Sequence, residues 1–237
     1  MPDGAYIALN GLRTRLTELD RLSADLANVA TSGYKRERTS TRGAERPTFD
    51  VLMQKATDPA VGKRAIDLRS GEISSTGSDL DFAIEDAGFF AVETPAGPRY
   101  TRNGAFGRRA DGTLVTTDGL PVVGQDGPIR LGAGPITVDA DGTVRVGAAI
   151  AGRLQIVEAA PGAAIVREGA ARFRIDRVSA MTAPSVRNGA LEHSNVSIVD
   201  SLAQLTALSR SFDALQRGLV ALMSEVDGKA ITELGRR

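Results

Sequence analysis

A heptad apolar seam runs along each end of the chain, and nothing between the two resembles it. At the C-terminal end the seam reads Ile198, Ser201, Leu205, Leu208, Phe212, Leu215, Leu219, Leu222 and Val226, with only Ser201 breaking the apolar series. The steps alternate between three and four, the stripe by which a helix packs lengthwise on other helices. Ser197 followed by Asp200 predicts the helix start as a capping box, and Gly228 predicts its stop. The span is roughly thirty residues, about 45 Å, which is too long for one wall of a small globule. At the N-terminal end Ala5, Leu9, Leu12, Leu16, Leu19, Ser23, Leu26 and Ala30 repeat the alternation, with Arg13, Arg15, Glu18, Asp20, Arg21 and Asp25 off the seam. Either seam alone fits a core helix of a bundle equally well. Seams at both ends, with a different middle, predict an α+β chain. Its N- and C-terminal helices form a coiled-coil stalk, and an antiparallel, hairpin-rich all-β domain is inserted between them.

The boundaries follow from texture. Residues 1–33 are the first helix, stopped by Thr31-Ser32-Gly33, with Gly33 suited to a left-handed C′ position. Residues 34–66 read as an extended connector with one helical turn near Val51–Lys55. Its Lys35, Arg36, Arg38, Arg42 and Arg46 are interleaved with Glu37 and Glu45, which predicts a solvated strip. From residue 67 to 182, short apolar runs such as Phe89–Val92, Leu114–Thr116, Ile136–Val138 and Leu154–Val157 alternate with turn residues. Asp-Gly pairs at 111–112, 118–119, 126–127 and 141–142 are strong hairpin signals. Residues 183–196 read as a second connector and 197–237 as the C-terminal helix.

Composition narrows the function. The 237 residues carry 29 basic and 29 acidic side chains, so the basic surplus that phosphate binding needs is absent and nucleic acid is not an expected partner. Cysteine is absent, so no disulfide framework or thiolate chemistry is expected; this suits an exported protein. The first thirty residues lack the apolar core of a secretory signal, and no apolar run approaches a membrane span. His193 is the only histidine, which leaves a Ser/His/Asp triad or a metal site short of ligands. Asp139-x-Asp141-Gly142 starts like a calcium loop, but Val144 and Ile150 stand where the glycine and glutamate belong, so a hairpin turn is expected. The acidic residues Asp79, Asp81, Glu85 and Asp86 read as a solvated cluster. No phosphate-cradling glycine loop is present. No catalytic residue, metal, cofactor or small-molecule substrate is expected.

Several ordered motifs point to a family. Leu26-Ala27-Asn28-Val29-Ala30-Thr31-Ser32-Gly33-Tyr34-Lys35 resembles the signature that ends the first helix of bacterial flagellar rod and hook proteins. The likeness continues through Thr76–Ile84, Gly88-Phe89-Phe90, Tyr100–Phe106 and Gly112–Thr116, and closes on Leu191-Glu192-His193-Ser194-Asn195-Val196. The chain is similar to flagellar basal-body rod proteins of the FlgF/FlgG type, and its modest length suits proximal-rod better than distal-rod members. This resemblance implies a non-enzymatic structural subunit that leaves the cytoplasm through the flagellar export apparatus without a cleaved signal. It would assemble helically with copies of itself and other rod proteins into the drive shaft across the periplasm, in the heterologous manner that propagates instead of closing. The assembly interface is then expected on Leu9, Leu12, Leu16, Leu19, Leu26 and Asn28 of the first helix. On the last helix it is expected on Leu205, Leu208, Phe212, Leu215, Leu219 and Leu222. Gly33, Gly88 and Gly104 are expected structural turns. The competing reading is an extracellular β binding module held by a closed coiled-coil oligomer.

Overall fold

The computed structural model describes residues 2–39 and 64–234, and the expected helical turn near Val51–Lys55 lies outside them. The chain divides into two compact units. One contains the helices α1 (Pro2–Ala27) and α2 (Ile198–Leu234). The other is built from Asn28–Glu37 and Ala65–Val196 and holds nearly all the strands.

In the helical unit α2 starts as the capping pattern predicts. The Ser197 hydroxyl accepts the Asp200 amide at 3.3 Å, and the Ser197 carbonyl accepts the Ser201 amide at 3.0 Å. Gly228 does not stop the helix, which runs on to Leu234. Glycine permits a left-handed cap but does not impose one, and within a helix it costs only about 1 kcal/mol relative to alanine. The two helices pack on each other, with Gly11 of α1 against Leu215 of α2. Along the described part of α2 the least exposed positions are Ser201, Leu205, Leu208, Ser211, Phe212 and Leu215, of which Ser211 lies off the expected seam. Along α1 the covered face departs from the expected seam. Leu22 and Asp25 are buried, whereas Leu16 and Ser23 are exposed. A straight helix of 3.6 residues per turn drifts about 20° per heptad from a 3.5 repeat, and over three heptads the covered stripe moves to neighbouring positions.

The β unit is organised on one six-stranded antiparallel sheet. Its spatial order is Ile165–Arg167, Arg172–Ile175, Gly97–Thr101, Phe89–Thr94, Ile156–Ala159 and Val178–Ala180. The period-two alternation of a strand sends successive side chains of Phe89-Phe90-Ala91-Val92 to opposite faces, and both faces are covered. Phe89 and Ala91 join Tyr100, Val157, Phe173 and Ile175 in one apolar cluster. Phe90 and Val92 join a larger one with Phe106, Leu114, Val122, Val144 and Ile156. Around the sheet stand hairpins at the Asp-Gly turns, where Gly112, Gly119, Gly127 and Gly142 all have positive φ. The Asp111 and Asp141 carboxylates each accept the amide two residues on, closing the turn.

The stretch 183–196 is not a bare connector. Val186–Asn188 pairs with Phe82–Ile84, and Ala190–Glu192 pairs with Ile73–Ser75. The short runs Val-Arg-Asn and Ala-Leu-Glu fall below the length at which alternation is readable in sequence. The first helix ends at Ala27, so Gly33 is not its C′ residue. It lies in the turns that follow, at φ 69°. A Cβ there would sit 2.3 Å from the Arg102 carbonyl carbon and the Asn103 nitrogen.

Gly104 shows a different constraint. Its φ is not positive, yet a Cβ would fall 1.6 Å from the Phe82 carbonyl oxygen, which accepts no such approach. Gly77 has φ 73° with open space around it. We therefore expect Gly104→Ala to destabilise the β unit by about 2 kcal/mol or more through overpacking. Gly77→Ala should cost only the left-handed strain, about 1 kcal/mol. Urea unfolding of the two variants checks the order.

Candidate functional site

Lys35, Arg102 and Glu192 meet in the interior of the β unit, each no more than 2% exposed. Lys35 Nζ lies 2.5 Å from Glu192 Oε1 and donates a second bond to the Arg69 carbonyl at 2.9 Å. The Gly71 amide donates to the same Oε1 at 2.8 Å. Arg102 Nε stands 3.2 Å from Glu192 Oε2, an ion-pair distance whose angle falls short of a hydrogen bond. One carboxylate is thus set between two cations. Burial holds the Lys35 pKa below its ordinary value, with the attraction of Glu192 opposing it and the nearby Arg102 adding to it. Burial likewise pushes Arg102 down, opposed by Glu192 and Asp86.

Arg102 also organises the loop after Phe82–Ile84. Its Nη1 donates to the Asp86 carbonyl at 2.6 Å and to the Gly88 carbonyl at 2.8 Å, and its Nη2 donates to Ser70 Oγ at 3.1 Å. The rigid fork of guanidinium donors suits this task, which a lysine could not perform. Gly88, at the end of that loop, has no room for a side chain: a Cβ would lie 2.7 Å from Ile156 Cγ2.

A second ring of contacts ties the segment Gly33–Glu37 in place. The Gly33 amide donates to the Glu192 carbonyl at 2.8 Å, and the Asn195 amide to the Tyr34 carbonyl at 3.3 Å. Asn195 acts as a strand in miniature. Its Oδ1 accepts the Arg36 amide at 2.7 Å, and its Nδ2 donates to the Asp67 and Arg69 carbonyls at 2.8 and 3.0 Å. Asp67 accepts Arg36 Nε at 3.1 Å and Arg69 Nη2 at 2.8 Å. The Arg167 guanidinium lies 4.3 Å from the Tyr34 ring centre and pairs with Glu37 at 3.2 Å. It also donates to the Lys35 carbonyl.

The basic run after Gly33 is therefore not a solvated strip throughout: Lys35 is fully buried and Arg36 half-buried. Its interleaved charges conceal this in the sequence, because Lys35 finds its counter-ion 157 residues away. The acidic residues separate. Glu85 pairs with Arg187, Asp86 accepts the Ser185 amide at 2.9 Å, and Asp81 accepts Thr76 Oγ1 at 2.6 Å. His193 is exposed at the end of the strand Ala190–Glu192 and shares a 2.7 Å hydrogen bond with Ser74 Oγ. Asn28 lies in the turn after α1, where its carbonyl accepts the Thr31 amide, so it is not a helix-face residue. Among the other expected interface positions, Leu208 is buried, and Leu12, Leu19, Leu26, Leu205, Phe212 and Leu215 are half-buried. The side chains of Leu9, Leu219 and Leu222 lie outside the described residues.

The chain thus has a helix at each end, a hairpin-rich β unit between them and a buried charge network joining the two margins of that unit, the layout of a structural subunit. Two family models match accordingly: the flagellar hook protein FlgE/F/G D1 domain over residues 83–146, and the flagellar basal body rod FlgEFG protein C-terminal region over residues 187–220. Whole-length relatives agree. The chain is 32% identical to the flagellar basal-body rod protein FlgF of Rhizobium meliloti, with 99% of each chain covered. It is 30% identical to FlgF of Caulobacter vibrioides over 100% of this chain and 99% of the relative. The FlgG protein of Bacillus subtilis is 29% identical over 88% of this chain and 90% of its own. The chain belongs to the flagellar basal-body rod proteins of the FlgF/FlgG type, with FlgF the nearer kind.

Removing the central carboxylate should be the most damaging change in the cluster. Glu192→Gln leaves two buried cations uncompensated and is expected to cost about 3–5 kcal/mol. Lys35→Met leaves Glu192 with Arg102 and the Gly71 amide, and is expected to cost less. Denaturant unfolding of both variants gives the comparison.

Proposed function

We propose that the chain is a non-catalytic structural subunit of the flagellar basal-body rod, built into a helical assembly through its terminal helices. The end-to-end match to rod proteins is the observation that carries this reading. In the assembly the helices α1 and α2 form coiled-coil contacts of the inner tube, and the β unit forms the outer layer. The subunit leaves the cell interior through the flagellar export apparatus without a cleaved signal and joins copies of itself and other rod proteins across the periplasm. Torque transmission then rests on stiff packing alone. What supports the helices as the contact elements is apolar surface left over after they pack on each other. Ile198, Val199, Leu202 and Val220 on α2 and Leu16 on α1 are all large, apolar and exposed. Val199 is 77% exposed. Three of these sit within the first five residues of α2, and exposed apolar side chains grouped this closely mark a surface that a neighbour covers. A closed oligomer carrying a binding module has no comparable support, because the relatives named above are rod proteins.

Two double variants test this reading in motile cells. Val199→Asp/Leu202→Asp changes exposed positions, so stability should move by only about 0.5 kcal/mol. The subunit should nevertheless fail to enter the rod, and the cells should lack external filaments. Leu208→Asp/Phe212→Asp attacks the covered stripe, where each apolar side chain contributes roughly 1.5–3 kcal/mol. It should abolish rod assembly while the β unit melts at its parental temperature. His193→Ala should leave motility intact. Normal swimming with either aspartate pair would refute the reading.

A further inference from the structure

The two apolar clusters of the β unit draw every member from residues 66 to 186. None comes from Asn28–Glu37 or from the strand Ala190–Glu192, although both segments belong to the same unit. Both clusters are therefore complete in chain order before Glu192, whereas the segment Gly33–Glu37 is held by polar contacts around one buried ring, that of Tyr34 at 2% exposure. Those contacts include a fully buried Lys35 beside a fully buried Arg102. Two cations cannot share a water-free space without a carboxylate between them, because burying unpaired charge is far costlier than burying a neutral group. Glu192 is that carboxylate, and it touches both.

We propose that Glu192 is a lock that closes the β unit: the sheet core forms first, and Gly33–Glu37 docks only when Glu192 enters between Lys35 and Arg102. A chain supplied from its N-terminus onward then carries Tyr34-Lys35-Arg36 undocked until residue 192 arrives. The attachment of the β unit to its N-terminal flank is thereby the last step of its folding. Asn195 adds the next contacts once Glu192 is in place, bridging Arg36 to the Asp67 and Arg69 carbonyls.

Pulse-labelled hydrogen exchange during refolding of the full chain tests the order. In the parent, amides of the hairpin Phe89–Thr94/Gly97–Thr101 should gain protection before those of Gly33, Arg36, Asp67 and Asn195. In Glu192→Gln the hairpin amides should gain protection at the parental rate, with loss of protection at the four docking amides. In Lys35→Met/Glu192→Gln the repulsion is removed as well, while Arg102 keeps its bonds to the carbonyls at 86 and 88 and to Ser70, so protection at those four should return in part. The double variant keeps the test decisive if Glu192→Gln alone does not fold. Simultaneous protection of both groups in the parent, equal slowing of both in Glu192→Gln, or no recovery in the double variant would overturn the proposal.

Discussion

The β unit depends on one carboxylate placed between two cations. Glu192 holds Lys35 from the segment before the sheet and Arg102 from the strand region in its middle, and it accepts the Gly71 amide as well. Buried ion pairs contribute little net stability, since desolvation offsets most of the attraction. Their effect is on alternatives. A shift of Ala190–Glu192 by one residue against Ile73–Ser75 would turn Glu192 to the other face and leave Lys35 and Arg102 facing each other. The native pairing is thus separated from its neighbours in register by the cost of unpaired buried charge. The reach of Arg102 to the carbonyls at 86 and 88 extends the same control to the loop before the central strand.

Around this centre the packing leaves little freedom. A Cβ on Gly71 would lie 2.0 Å from the His193 carbonyl oxygen, and one on Gly33 would meet the Arg102–Asn103 peptide. Two pairs of backbone segments distant in sequence therefore approach more closely than side chains allow. Arg102 alone donates to carbonyls at 86 and 88 and to Ser70, and within the cluster the buried oxygen without a hydrogen bond is Glu192 Oε2, which keeps the Arg102 charge beside it.

The parts legible in the sequence are those whose signal is local. The Asp-Gly turns, the short apolar runs at Phe89–Val92 and Ile136–Val138, the Ser197 cap and the stripe from Ser201 to Leu215 all depend on neighbours a few residues away. The parts missed depend on distant partners. Lys35 sits among Arg36, Glu37 and Arg38 and resembles a solvated residue until Glu192 is placed beside it. Leu22 lies off the expected α1 seam because that seam was drawn at a strict heptad, and the helix drifts away from it. The strand Ala190–Glu192 is too short to announce itself. The motif Leu191–Val196 carried the family resemblance, yet its physical content, a counter-ion at 192 and a backbone bridge at 195, follows only from the packing.

The same cluster bears on how a rod subunit could carry load. Along the chain, the β unit is entered after α1, left at Glu37, re-entered at Ala65 and left just before α2. Its margins are adjacent: the Asn195 amide donates to the Tyr34 carbonyl, and Asn195 Oδ1 accepts the Arg36 amide. In the proposed rod, a force entering the β unit at either margin meets these hydrogen bonds and the Lys35–Glu192 pair first. It need not pass through the six-stranded sheet, whose apolar clusters begin on the far side of residue 66. The network between the margins acts as a short, charge-assisted bridge, the stronger class of hydrogen-bonded contact.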